Sequence, residues 1–144
     1  MPEQNVVEAE LSLVKGMQFL GRTSQSRIGI VLDAKPEHGG QGSGFNPTEL
    51  ILLSLGGCTG MDVISILRKK KQDVTGLEVH LKGLRAPEHP RRYTEIEFLV
   101  RGRGISKKAV ARSIELSQEK YCSVTASLSA RITSSFRIIE ESGI

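Results

Sequence analysis

The chain has 144 residues, with Lys plus Arg at 20 against Asp plus Glu at 16, a formal net charge of +4. That length is one ordinary domain with no room for a second, and so small a positive surplus does not by itself imply a nucleic-acid or membrane partner. With 38% hydrophobic residues, 4% aromatic and no Trp, a core is possible but not rich.

Residues 1–16 mix apolar positions with Glu3, Glu8 and Glu10, unlike a signal peptide, so the expected location is cytoplasmic. Residues 6–15 alternate loosely and read as a first strand. Met17–Thr23 and Arg27–Asp33 read as two more, with a turn at Ser24–Ser26. Lys35–Gly44 then holds four glycines in ten residues and reads as a flexible connector. Its glycines resemble a phosphate loop only loosely, because the Lys-Ser/Thr ending is missing.

Asn46–Lys71 reads as a long helix and is the one segment apolar enough to be a domain's core. Asn46 suits the N-cap, Pro47 the first helical position, and the Glu49 carboxylate the free N–H groups of the first turn. Arg68, Lys69, Lys70 and Lys71 place positive charge at the negative end of the helix dipole. Leu50, Leu52, Leu55, Val63 and Leu67, with their apolar neighbours, leave no wide polar stripe, so the helix must be covered nearly all round. A chain this short covers such a helix poorly from within, and an obligate homodimer is expected. Thr48, Glu49, Ser54, Thr59, Asp62 and Ser65 interrupt the run, so a membrane span is not expected. Gly56, Gly57 and Gly60 flank Cys58, which suggests that another helix or a substrate approaches the backbone there.

Leu77–Leu84 and Tyr93–Arg101 read as paired strands, the second with Thr94, Ile96, Phe98 and Val100 alternating against Glu95, Glu97 and Leu99. Ser106 caps a second helix, Lys107 to about Tyr121, with Val110, Ile114 and Tyr121 on one face. Cys122 follows, then a short helix or turn, then a strand over Ile132–Ile139. Three strands, helix, two strands, helix, short helix and strand make an α+β pattern, with antiparallel sheet wrapped around helices.

Cys58 and Cys122 form no Cys-x-x-Cys unit and no zinc-finger spacing. Either alone is explained as a small buried hydrophobe; should the two meet in space, one acts as nucleophile and the other as resolving thiol. His38, His80 and His89 are scattered, so no metal site and no cofactor are expected. The Arg68–Lys71 run lacks interleaved aromatics and reads as a solvated helix end rather than a nucleic-acid contact.

The segment NPTELILLSLGGCTGMDVISILRKKK, the second cysteine in EKYCSV and the order of strands and helices resemble the OsmC/Ohr family (osmotically inducible protein C and organic hydroperoxide resistance proteins), in particular its YhfA-like branch. The similarity runs from about residue 10 onward. It implies a single OsmC-like domain over residues 1–144, α+β, with antiparallel sheets around a long central helix and an intertwined homodimer. It further implies two interface active sites in which Cys58 is the peroxidatic thiol and Cys122 the resolving one. The implied substrate is an organic hydroperoxide, the reductant a dithiol, and the alternative a non-catalytic small-ligand binder whose cavity the cysteines line. In peroxidase members a glutamate directly after the helix-start proline holds an arginine over the thiolate. Here Thr48 occupies that column and Glu49 follows, turned by about 100° on the helix; Arg22 and Arg27 are the candidate arginines.

Overall fold

The computed structural model describes residues 5–140, so the part of the N-terminal reading that rests on Glu3 lies outside it. Two compact units are present, residues 1–51 and 52–144.

In the first unit, β1 (Ala9–Lys15), β2 (Gln18–Thr23) and β3 (Ile30–Leu32) form an antiparallel sheet in the order β1-β2-β3. The third strand is shorter than its apolar run predicts. The Thr23 and Ser26 hydroxyls accept the N–H groups of Ser26 and Ile28, and these local bonds compete with the ladder. The register places Leu13, Phe19 and Leu32 across from one another, and Leu11, Gly21 and Ile30 beside them, on one face. Leu11, Leu13, Phe19 and Ile30 on that face are exposed.

The segment after β3 is not the flexible connector that its glycines predict. A short 3-10 turn occupies Pro36–His38. The Asp33 carboxylate accepts the N–H groups of Ala34, Gln41 and Ser43 and the Ser43 hydroxyl. Gly40 packs so closely on Ala34 that a Cβ there would lie 2.0 Å from its carbonyl oxygen. Gly40 thus serves close packing around this carboxylate, while Gly44 packs as tightly on the Val31 carbonyl and Gly39 and Gly42 take positive φ.

Helix α1 (Pro47–Lys69) starts in the first unit and runs through the second. Its cap is the predicted one: Thr48 N–H donates to Asn46 Oδ1 at 3.1 Å, and Asn46 N–H donates to Glu49 Oε2 at 3.2 Å. Helix α1 has 23 residues, and its most apolar 18-residue stretch has a mean hydropathy of 1.9, so it is long and apolar enough to cross a membrane by length and composition. Leu55, Gly56, Thr59, Val63 and Leu67 form a stripe of it that is buried in protein.

The second unit pairs β4 (Gly76–Arg85) antiparallel with β5 (Tyr93–Arg103), and β5 parallel with β6 (Arg131–Ile138). The β4–β5 pair is antiparallel as expected, and the parallel β5–β6 pair makes this sheet mixed. The connection from β5 to β6 carries two helices and is long enough for a parallel crossover. Ile96, Phe98 and Val100 face inward, as their alternation predicts; Phe98 and Val100 pack with Val63, Leu67, Val110 and Ile114, and Ile96 packs with Leu55 and Cys122. At two of the α1 glycines the close approach comes from a strand: Gly56 lies against Leu81 of β4, and Gly60 against Val79.

Helix α2 (Lys107–Leu116) is capped by Ser106, whose hydroxyl accepts the Ala109 N–H at 3.1 Å. It ends five residues before the predicted limit, in a π-helical turn over Ser117–Tyr121 closed by Cys122 N–H to the Ser117 carbonyl at 2.7 Å. The extra residue in that turn sets the chain back by about 100°. Tyr121 consequently leaves the face of Val110 and Ile114 and is 50% exposed. A short helix, α3 (Ser123–Ser127), follows with Cys122 as its N-cap.

Candidate active site

Cys58 stands midway along α1 and Cys122 between the π-turn and α3, and the fold of the second unit brings them together. The thiol sulfurs and one Asp62 carboxylate oxygen lie within 4.8 Å of one another. Both cysteines are free thiols; Cys58 is partly exposed and Cys122 is buried. Leu55, Ile96 and Val124 pack around them, so the thiols meet at the edge of an apolar core.

The polar groups beside them come from α1, the π-turn and α3. Cys122 Sγ accepts the Thr125 N–H at 3.4 Å and lies 3.7 Å from the Thr59 hydroxyl. Gln118 braces both: its Nε2 donates to Thr59 Oγ1 at 3.0 Å, and its Oε1 accepts the Thr125 hydroxyl at 2.9 Å. The Ser117 hydroxyl donates to Asp62 Oδ2 at 2.8 Å. The π-turn makes this possible, because it aims two consecutive side chains, Ser117 and Gln118, at α1. A cleft of about 440 Å³ between α1 and the π-turn, lined by Asp62, Ile66, Lys69, Leu116 and Tyr121 among others, opens onto the carboxylate.

The two thiols are not electrostatically alike. Burial pushes the Cys58 thiol up, as do its hydrogen bond and charge interaction with Cys122, against the opposing N–H groups of Val124 and Ser123. Burial works to raise Cys122 as well, but there the hydroxyl and N–H of Thr125, the Cys58 thiol and the Thr59 hydroxyl outweigh it, and its pKa is lowered. The hydrogen bond that the two thiols share therefore pushes them in opposite directions, Cys58 up and Cys122 down. The leading influences on both sulfurs are burial, hydrogen bonds and each other, with no cation among them.

The other predicted site residues belong to the first unit. Arg22 lies on β2 with its Nε 3.8 Å from Glu10 Oε1 across the β1–β2 ladder. Arg27 lies in the exposed link between β2 and β3. Glu49 is engaged in the α1 cap. Sequence reasoning missed Thr59, Asp62, Gln118 and Thr125. Two of these carried a signal, since Thr59 and Asp62 are polar positions in an apolar helix, adjacent to Cys58 and one turn beyond it.

Comparison with known proteins places the chain as a whole. The family model for OsmC-like proteins matches residues 40–137. The chain is 39% identical over 138 residues to the protein YhfA of Escherichia coli K12, covering 92% of this chain and 98% of YhfA. Among solved structures, a hypothetical protein from Aquifex aeolicus VF5 superposes with a TM-score of 0.84 at 38% identity, over 95% of this chain and 98% of that one. An organic hydroperoxide resistance protein from Elizabethkingia anophelis shares the fold, with a TM-score of 0.73 at 13% identity over 96% of this chain and all of that one (100%).

Proposed function

This chain belongs to the OsmC-like protein family, and we propose that it reduces organic hydroperoxides through Cys58 and Cys122 in oxidative-stress defence. The observation that carries this reading is the approach of two free thiols within 4.8 Å, one partly exposed and one buried. Cys58 is the sulfur a substrate reaches, and the Cys122 thiolate holds its proton in a hydrogen bond. Transfer of that proton to Cys122 frees the Cys58 thiolate to attack the peroxide O–O bond. The bond breaks, Cys58 becomes a sulfenic acid, and the departing alkoxide takes the proton from Cys122 and leaves as an alcohol. The Cys122 thiolate then displaces hydroxide from the sulfenic acid; a solvent proton makes it water, and a disulfide remains. A dithiol returns both cysteines to thiols and is itself oxidised. The Leu55, Ile96 and Val124 surround favours alkyl and fatty-acid hydroperoxides over hydrogen peroxide.

The working unit in this reading is a cytoplasmic homodimer of one OsmC-like domain over residues 1–144. A three-stranded sheet exposing Leu11, Leu13, Phe19 and Ile30 on one face calls for a cover. Arg22 or Arg27 is the arginine that would activate the thiols, with Glu49 in place of the glutamate that orients it. Turnover of cumene or tert-butyl hydroperoxide with a dithiol, abolished by Cys58→Ser, is the expected result. No turnover by the wild type, or full turnover by Cys58→Ser, ends the proposal. The raised Cys58 pKa favours one second reading, a non-catalytic small-ligand binder. It predicts a ligand-induced thermal shift that survives Cys58→Ser and Cys122→Ser.

A further inference from the structure

Asp62 has a neighbourhood that hydroperoxide reduction does not explain. Its carboxylate oxygen lies within 4.8 Å of both sulfurs. Among the described residues it has no ion-pair partner, and its one hydrogen bond comes from the Ser117 hydroxyl. A thiolate nucleophile gains from a neighbouring cation, yet three groups that are anionic when ionised converge here.

We propose that Cys58, Asp62 and Cys122 form a binding site for a thiophilic divalent cation of the Zn²⁺ class. Two thiolates and one carboxylate are a fitting donor set, with the sulfurs selecting against Mg²⁺ and Ca²⁺. Tetrahedral bonds of about 2.3 Å to sulfur and 2.0–2.2 Å to oxygen put the donors about 3.6–3.8 Å apart, so separations of up to 4.8 Å close with a side-chain movement of roughly 1 Å or less. Cys58 and Asp62 are four residues apart on α1 and share one face of the helix. The Ser117 hydroxyl on Asp62 Oδ2 and the Thr125 N–H on Cys122 are the outer-shell bonds that orient ligands in such sites. Three protein donors leave the fourth tetrahedral position to water. Binding displaces the remaining thiol protons into the buffer. The site rests on this geometry; its consequence, that the bound ion blocks the peroxide and shields the sulfurs from oxidation, rests on the hydroperoxide reading.

The test uses the reduced, metal-free full-length protein, titrated with Zn²⁺ by calorimetry and with Cd²⁺ by its thiolate-to-metal charge-transfer absorption. One ion per chain is expected, with binding lost in Cys58→Ser and in Cys122→Ser. Losing a second-shell partner alone costs on the order of 10- to 100-fold in affinity, so Asp62→Asn is expected to weaken binding by at least about 10-fold. Asp62→Ser, which keeps a small hydrogen-bonding group toward Ser117, repeats that arm should the asparagine variant not fold. No saturable binding overturns the proposal, as does unchanged affinity in Cys58→Ser or in a folded Asp62 variant. Peroxidase assays on the same metal-free samples separate the two ideas. Binding without turnover supports the metal site and removes the hydroperoxide reading, whereas turnover without binding does the reverse.

Discussion

The chemistry of single residues is set by who donates hydrogen bonds to whom. Cys122 is favoured as thiolate by groups it does not own, chiefly the hydroxyl and N–H of Thr125. Thr59→Val removes the hydroxyl that lies 3.7 Å from Cys122 Sγ, and it is expected to raise the pH at which the pair loses its first proton. Thiolate absorbance followed against pH reads this directly, and an unmoved titration would show that the hydroxyl contributes nothing. Under the hydroperoxide reading the pH profile of turnover moves in the same direction. Asp33 supplies a second pH-dependent feature. Its hydrogen bonds with Ser43, Ala34 and Gln41 lower its carboxyl from 3.8 to about 2, against a smaller opposing effect of burial. A carboxyl depressed on folding adds stability that is fully present above pH 3.8 and is lost as the pH falls toward 2. Asp33→Asn should therefore lower Tm at neutral pH, with the gap to wild type narrowing between pH 4 and pH 2. Parallel Tm curves across that range would rule this out.

Elements were legible where their signals are local. The α1 cap needs only Asn46, Pro47 and Glu49 in order, and the inward face of β5 needs only strict alternation. The π-turn was not legible, because Ser117–Tyr121 continues a helical composition and the extra residue is fixed by contacts with α1. The parallel pairing of β6 is equally long-range. So is the meeting of Cys58 with Cys122, which only the resemblance to known proteins implied beforehand. The polar residues of α1 served to exclude a membrane span, when two of them, Thr59 and Asp62, mark the site itself. Helix α1 also carries a contrast between glycines. A Cβ at Gly56 would stand 2.6 Å from Leu81 Cδ1, whereas one at Gly60 makes ordinary contact with Val79 at 3.5 Å. Gly56→Ala is expected to destabilise by about 1–3 kcal/mol through overpacking. Gly60→Ala is expected to be neutral or to stabilise by up to about 1 kcal/mol through helix propensity. Urea unfolding of the two variants decides it, and equal effects would mean that strand β4 does not set the tolerance of this helix.

At the scale of the whole molecule, the buried stripe of α1 leaves an opposite face bare. Leu53, Gly57 and Met61 recur at four-residue spacing, with Leu53 and Met61 53% and 71% exposed, and a Cβ at Gly57 meets nothing within 4 Å. This stripe and the open face of the β1–β3 sheet are where a second subunit is expected. Met61→Asp should shift the particle toward monomer in light scattering coupled to size exclusion; an unchanged mass would place the contact elsewhere. The crossover has an effect on the order of assembly. Cys122 rides on the connection between two side-by-side strands that run the same way, and what holds it beside Cys58 is its docking on α1 through Ser117 and Gln118. A nascent chain that has emerged past residue 122 thus carries two unrelated sulfhydryls until that connection docks. Oxidative crosslinking between them, sampled during synthesis or refolding, should timestamp the docking.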